Sequence, residues 1–420
     1  MALSSILPYL TDGLFFVSLY FEVFMLIALL QKRSLRDRHE QEPILPAVLP
    51  SVAIVVPCFN EEHTVGPTIE SLLALEYPAD LLEVIVVDDG STDATLAAAK
   101  RYEGERVRVL SKENGGKHSA LNLALSQTDA DLIGCLDADS VVAADALKRT
   151  VAAFTDENVA AVTPGIHIQK PQTLIQHLQE AEYRLAIFTR AAFADIGATY
   201  ITPGPFSIFR THIVREAGGW RHAHATEDLE LGLRLQERGA IIRNEPYAAV
   251  YTKTPSTVRA LVKQRVRWTY GFLRNAFDYR HMIGNWRYGN LGLLALPFGI
   301  ISIGVVFYFV ALITYDWAQS LANWMTYVSV THTVFAAPSF DPFFIDTTVM
   351  SFIVYLSTAL VLVLLFVGSR LSSRPERKFR ALGTSLFLLF YGFLTPIWLG
   401  IAVARASFRT GVDWKGVRNR

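Results

Sequence analysis

Apolar runs of bilayer length bracket one continuous α/β stretch, and this arrangement constrains the chain more than any single motif. Residues 13–30 are almost wholly apolar, broken only by Glu22, and further runs recur at about 291–314, 347–368 and 382–404. A hydrocarbon core of about 30 Å requires roughly 20 apolar helical residues, so each run is long enough to span it. The expectation is therefore an N-terminal anchor within residues 1–31, a C-terminal membrane domain over residues 281–405 with about three spans, and a basic tail over 406–420. A secretory signal peptide would carry its basic residues ahead of the apolar run; here they follow it, and no small-residue cleavage site is evident.

Charge placement orients these spans. Lys32, Arg33, Arg36 and Arg38 follow the first run while residues 1–12 hold no Lys or Arg, which places the N-terminus outside and the next segment in the cytosol of a multi-pass protein of the cell (inner or plasma) membrane. The stretch 315–346 has no Lys or Arg, and Arg370, Arg374, Arg377, Lys378 and Arg380 crowd the following connection, as outside-then-inside demands. A straight last span would put Arg405, Arg409, Lys415, Arg418 and Arg420 outside, so either Pro396 breaks that segment into a re-entrant pair or the rule fails there. Over the whole chain 39 basic and 39 acidic residues cancel, leaving no field to recruit nucleic acid. Cys58 and Cys135 lie in apolar strand-like runs without metal-ligand spacing and read as buried thiols in a reducing compartment.

Residues 50–280 read as one cytosolic α/β domain. Short β-branched runs, SVAIVVP, LEVIVVDDG, RVRVLSK, ADLIGCLDADS and VAAVTPGI, alternate with helical segments, which predicts a mostly parallel sheet with flanking helices. Ligands of such sheets gather at the carboxyl ends of the strands, and there the unusual residues cluster. PCFNEE, with Pro57, Phe59, Asn60 and Glu61, ends the first strand; its bland reading is a turn with an acidic first helical turn. VVDDGSTD places Asp88 and Asp89 side by side at a strand end, a repulsion that a ligand or a donor relieves, with Asp89 the choice to meet a base or ribose edge. NGGKHSALN sets two glycines and Lys117 before a helix, where backbone amides and an ammonium can approach phosphate oxygens. CLDADS offers Asp137 and Asp139 as hard ligands for Mg²⁺ or Mn²⁺ bound to a nucleotide diphosphate. ATEDLELGLRLQERG predicts an amphipathic helix capped by Thr226 and ended by Gly239, with Glu227 and Asp228 in its first turn, where a carboxylate stays ionised and can take a proton from a sugar hydroxyl. KQRVRWTYG adds a basic, aromatic helix before the membrane, supplying cations for a departing diphosphate and an indole face for a pyranose.

DDGS, DAD, TED and QRVRW, in this order and ahead of C-terminal spans, resemble the family-2 processive β-glycosyltransferases, the group of poly-N-acetylglucosamine, chitin-oligosaccharide, hyaluronan and cellulose synthases. The resemblance covers residues 50–280 closely and the flanking spans by architecture only. It implies a GT-A fold and an inverting single displacement on a UDP-sugar, with Asp228 as general base, Asp89 and the 57–61 segment on the uridine, Lys117 at the diphosphate and Asp137 and Asp139 on the metal. It further implies that Gln264, Arg267 and Trp268 close over the donor and hold the acceptor's last sugar, and that TPGPFSIFR, residues 202–210, is the acceptor-side loop, with Gly204, Pro205, Phe206 and Ser207 facing the acceptor. That loop departs from the cellulose synthase version, which argues against a glucan product. On this reading the C-terminal spans form an exit channel for the growing polymer, residues 173–192 lie on the membrane surface in contact with lipids, and an accessory membrane subunit has room to join.

The product expected first is a polymer of N-acetylglucosamine type. A single-addition transferase acting on a membrane lipid shares several of these features, and product length separates the two. A nucleotide-binding transporter or sensor would show repeated, Gly/Pro-interrupted spans rich in buried polar groups, whereas here Glu22 alone is clearly ionisable within a run.

Overall fold

The computed structural model describes residues 2–31, 42–334, 349–370 and 381–408; the basic clusters 32–38, 374–380 and 409–420 and the segment 335–346 fall outside the described residues. Two compact units emerge, one of Met1–Ala28 with Phe298–Val363, the other of Leu29–Pro297 with Leu364–Arg420.

The second unit is built on an eight-stranded sheet of order β3-β2-β1-β4-β7-β6-β8-β5. Its strands are β1 Val52–Cys58, β2 Leu82–Asp88, β3 Val107–Ser111, β4 Leu132–Cys135, β5 Ser140–Val142, β6 Val159–Ile168, β7 Ser207–Arg210 and β8 Ile241–Thr252. All five expected strands are present, and β1 through β4 pair in parallel. Antiparallel β7 and β5 make the other half mixed, and β5, β7 and β8 had no clear signal in the sequence. The three or four residues of β5 and β7 are too few to display an alternating pattern. Period-two alternation distributes β1 between two cores. Ile54, Val56 and Cys58 pack with Val65, Ile69 and Leu72 of α2 (Val65–Leu73). Ala53 and Val55 meet Ala120, Leu121 and Ala124 of the helix Lys117–Ser126 on the other face. Each fully buried aliphatic side chain contributes about 1.5–3 kcal/mol, so a sheet covered on both faces is a rigid base for a site at its edge.

In chain order the remaining helices are α1 Ala2–Gln31, α3 Thr95–Lys100, α4 Lys117–Ser126, α5 Ala146–Ala152, α6 Leu174–Asp195, α7 Thr211–Glu216, α8 Glu227–Glu237, α9 Val258–Asp278, α10 Leu296–Thr331, α11 Val349–Arg370 and α12 Ala381–Ser407. Among the described residues three apolar helical stretches are long enough to cross a membrane, Tyr9–Ile27, Leu291–Thr331 and Gly383–Ser407, and Tyr355–Phe366 forms a shorter one, in keeping with about four spans. Within the first unit Phe21 stacks on Phe298 (centroids 3.7 Å apart), and the Ser357 hydroxyl donates to the Glu22 carboxylate at 2.6 Å, so this ionisable group within the first span has a polar partner.

Of the two alternatives left open for the final apolar run, the break at Pro396 is the one not seen: α12 is continuous through it. Nor does it group with the other spans as one domain over 281–405, because α12 packs on α9 and α6 within the second unit. Thr384, Trp398, Leu399 and Ala402 of α12 are buried.

Candidate active site

Parallel register collects the motifs at one edge. Cys58 lies opposite Asp88, Asp88 opposite Ser111, and Val55 opposite Cys135, so the chain leaving β1, β2, β3 and β4 emerges side by side. Antiparallel β7 places Ser207 beside Cys135, which brings the 202–206 loop to the same edge. The first two turns are then tied together. The Asn60 amide donates to the Ser91 hydroxyl (3.0 Å), the Asn60 side chain accepts from the Thr92 amide (2.9 Å), and the Glu61 amide donates to Thr95 Oγ1 (2.7 Å).

The adjacent carboxylates of Asp88 and Asp89 are both buried, and they divide their work. Asp89 accepts from Lys112 Nζ (2.7 Å) and from the Gly115 and Gly116 amides (3.0 and 2.8 Å). Its oxygens hold the glycine turn ahead of α4, so the repulsion foreseen from the sequence is relieved by protein donors. Asp88 differs: the Ser111 hydroxyl donates to one oxygen at 3.4 Å, while the other is buried without a hydrogen-bond partner. Lys112 was missed from the sequence. Its only signal is a lysine at the end of β3, and the register that carries it to Asp89 is a tertiary property.

Lys117 is the hub. Its ammonium donates to Asp137 Oδ1 at 2.5 Å and lies 3.6 Å from Glu227 Oε1, with the lysine side chain 10% exposed. Burial works against its charge, yet Asp137 foremost and Glu227 raise it well above the ordinary lysine range, so it stays cationic. Gly204 closes over this pair, since a Cβ there would fall on Lys117 Nζ and stand 3.2 Å from Asp137 Oδ1. The Asp137–Asp139 turn is itself fixed from α2, whose Thr68 hydroxyl donates to the Ala138 and Ser140 carbonyls (2.9 and 2.8 Å).

Asp228 stands on the first turn of α8. Burial, then the charge of Glu227, push its carboxyl up to about 6, against the pull of Lys117 and Arg267. Its carbonyl accepts from the Thr202 hydroxyl (2.7 Å), coupling the helix to the 202–206 loop. Thr226 is the N-cap residue, but contrary to expectation its side chain makes no capping bond. Its hydroxyl donates to the Ala223 carbonyl instead, at 3.1 Å. Gly239, with φ of +79°, ends the helix as expected.

On α9, Arg267 donates to the Ala225 carbonyl (3.1 Å), and Trp268 is partly exposed with the Arg265 guanidinium 4.3 Å above its ring. Arg265 also donates to Gln264 Oε1 (2.8 Å) and to Glu182 of α6 (2.6 Å). The pairing of Arg265 with Glu182 was absent from the sequence reading because nothing local pairs residues on two distant helices. The acceptor-side assignment needs correction at two positions. Phe206 and Ser207 are fully buried; Phe206 sits in the core at φ of +63° and Ser207 donates to the Pro203 carbonyl at 2.6 Å, so both shape the loop and neither faces an acceptor. Gly204 and Pro205 remain at the site's edge. Cys135, buried behind Lys117, has its thiol pushed up to about 12 by burial, which keeps it inert.

Asp137 and Asp139 suit a divalent cation. They supply hard oxygens, and Asp137 is about a third exposed. Two carboxylates would leave further coordination positions for other oxygen ligands.

Residues 50–271 match the family described as glycosyltransferase like family 2. The chain belongs to glycosyltransferase family 2. Curated relatives of this glycosyltransferase include the poly-beta-1,6-N-acetyl-D-glucosamine synthase of Staphylococcus aureus strain COL, 33% identical over 227 residues, covering 53% of this chain and 55% of the relative. The synthase of the same name from Staphylococcus epidermidis is 31% identical over 224 residues, covering 52% and 54%. The match therefore spans about half the length of either relative. Among solved structures, a mannosyltransferase from Pyrobaculum calidifontis in complex with GDP-Man and Mn²⁺ superposes with a TM-score of 0.56 at 19% identity, over 97% of this chain and 99% of that one. At that identity the likeness establishes the fold: the mixed sheet is a GT-A domain, and the glycosyltransferase carries apolar helices of membrane-spanning length.

Proposed function

We propose that this membrane glycosyltransferase transfers a sugar from a UDP-sugar to a growing polysaccharide of N-acetylglucosamine type, inverting the anomeric centre, and helps extrude the product. The observation that carries the proposal is the Asp137–Lys117–Glu227/Asp228 constellation, in which Lys117 is held between Asp137 and Glu227 and burial pushes the neighbouring Asp228 carboxyl up to about 6. The identity with the staphylococcal synthases supports the polymer and the sugar.

Asp88, with its unpaired buried oxygen, accepts from the N–H edge of the uracil, and the 57–61 segment with Phe59 flanks the base. Asp89 serves the nucleotide at second hand, by shaping the glycine turn whose helix carries Lys117. The acceptor hydroxyl gives its proton to Asp228 as its oxygen bonds to the anomeric carbon from the face opposite the leaving group. The bond from that carbon to the diphosphate oxygen breaks, and UDP departs with the electron pair. Lys117 and Arg267 meet the charge that develops on it. Mg²⁺ or Mn²⁺ on Asp137 and Asp139 would add Lewis-acid stabilisation of the same diphosphate. Trp268, steadied by Arg265 and Gln264, offers the stacking face for the acceptor's terminal sugar. The catalytic unit works on the cytosolic side, beside the membrane lipids.

The test is turnover by the detergent-purified chain with a panel of UDP-sugars and Mg²⁺ or Mn²⁺, following UDP release and product length. Long product from one donor, lost in Asp228→Asn, is expected. Single additions to a lipid would replace the polymer reading, and absence of UDP release with every donor would overturn the catalytic one.

A further inference from the structure

One face of α9 presents Arg267, Gly271, Asn275 and Asp278 at successive helical turns. All four meet the turn that delivers Glu227 and Asp228. Arg267 donates to the Ala225 carbonyl, and Gly271 is so close to Thr226 that any Cβ would collide with its side chain. Asp278 pairs with the His224 ring at 2.8 Å. Asn275 is the centre of the grip: it is 1% exposed, and its Nδ2 donates to Thr226 Oγ1 (3.0 Å), to the Gly271 carbonyl (2.9 Å) and more weakly to the Ala223 carbonyl (3.4 Å).

The turn needs holding. Ala223, His224 and Ala225 have φ of 41°, 56° and 62°, three consecutive residues in the left-handed region with no glycine among them. A Cβ disfavours that backbone at each position, and such strain persists only where surrounding contacts over-determine it. The lost capping bond of Thr226 has the same origin, because its hydroxyl is engaged by Ala223 and Asn275.

We propose that Asn275 is a positioning residue for the catalytic base: by tying both ends of the strained 223–226 turn to α9, it fixes the first turn of α8 and the Asp228 carboxylate. The inference rests on Asp228 acting as the base. It links the helix that carries Gln264, Arg267 and Trp268 to the proton acceptor, so donor closure and base placement share one rigid element.

The test uses the full chain in detergent with the donor that supports wild-type UDP release, and Asp228→Asn as reference. In Asn275→Ala, kcat is expected to fall on the order of 10- to 100-fold, the cost of misplacing a reacting group by about 1 Å, while KM for the donor stays within about two-fold. Asn275→Asp, which puts an acceptor where three oxygens need a donor, should not restore activity. Adding Ala223→Gly to Asn275→Ala should recover most of kcat, because glycine adopts the left-handed conformation without strain. A packing role alone would not respond to that second change. If Asn275→Ala does not fold, Asn275→Ser, with one donor left, should give an intermediate kcat, and wild-type kcat there would overturn the inference. Wild-type UDP release with unchanged kcat in Asn275→Ala would likewise overturn it alone. No UDP release from the wild type would remove the reading of Asp228 and this inference together.

Discussion

Replacing Lys117 with methionine tests the electrostatics of the site most directly. The ammonium holds Asp137 at 2.5 Å and Glu227 at 3.6 Å. At an effective dielectric near 20 these contacts correspond to gross attractions of about 7 and about 5 kcal/mol. Desolvation of the lysine and the partial exposure of Asp137 reduce this, and breaking a buried pair typically costs ~3–5 kcal/mol; the low end applies here. Asp228 responds in a defined direction. Lys117 pulls its carboxyl down while burial and Glu227 push it up to about 6, so removing the cation moves it higher still. Because the base acts as carboxylate, activity falls as pH drops through its pKa, and the acid limb of the pH–rate profile should shift to more alkaline pH in Lys117→Met. Loss of a donor to the diphosphate should also lower kcat on the order of 10²- to 10³-fold. The assay is UDP release from pH 5 to 9 at saturating donor, alongside thermal unfolding. An acid limb left at its wild-type position, with kcat within about two-fold of wild type, would refute the reasoning.

Three further outcomes are expected. The wild-type enzyme should lose UDP release with an apparent pKa of about 6, and an acid limb below 5 would show that Asp228 is not the titrating base. Gly204→Ala forces a methyl onto Lys117 and Asp137, so UDP affinity by calorimetry should drop while the melting temperature changes little; unchanged affinity would mean that the loop yields. Glu182→Gln leaves the Arg265 guanidinium, 5% exposed, without its carboxylate, at a cost of about 3–5 kcal/mol. It should loosen Trp268 and shorten product more than it slows UDP release, whereas loss of both in equal measure would point to general unfolding.

Local patterning carries over from sequence to structure wherever one property decides it. The strands β1, β2 and β6 were legible because β-branched alternation is a local signal, as were the membrane-length helices from apolar run length and the end of α8 from Gly239. The order of DDGS, DAD, TED and QRVRW likewise named the family, the first three motifs standing at the ends of elements and QRVRW within α9. Sequence proximity does not reveal which oxygen is left unpaired. Only the parallel register of β1, β2 and β3 brought Asp89 to the glycine turn and left one Asp88 oxygen buried without a hydrogen-bond partner. Burial of Phe206 and Ser207, the pairing of Arg265 with Glu182, the packing of α12 on the catalytic unit and the grip of Asn275 on residues 223–226 all join segments far apart in the chain. Sequence thus determined the elements and the chemistry carried to their ends; the tertiary structure decided which of those groups are spent holding one another and which remain for substrate, because long-range contact and burial set that division.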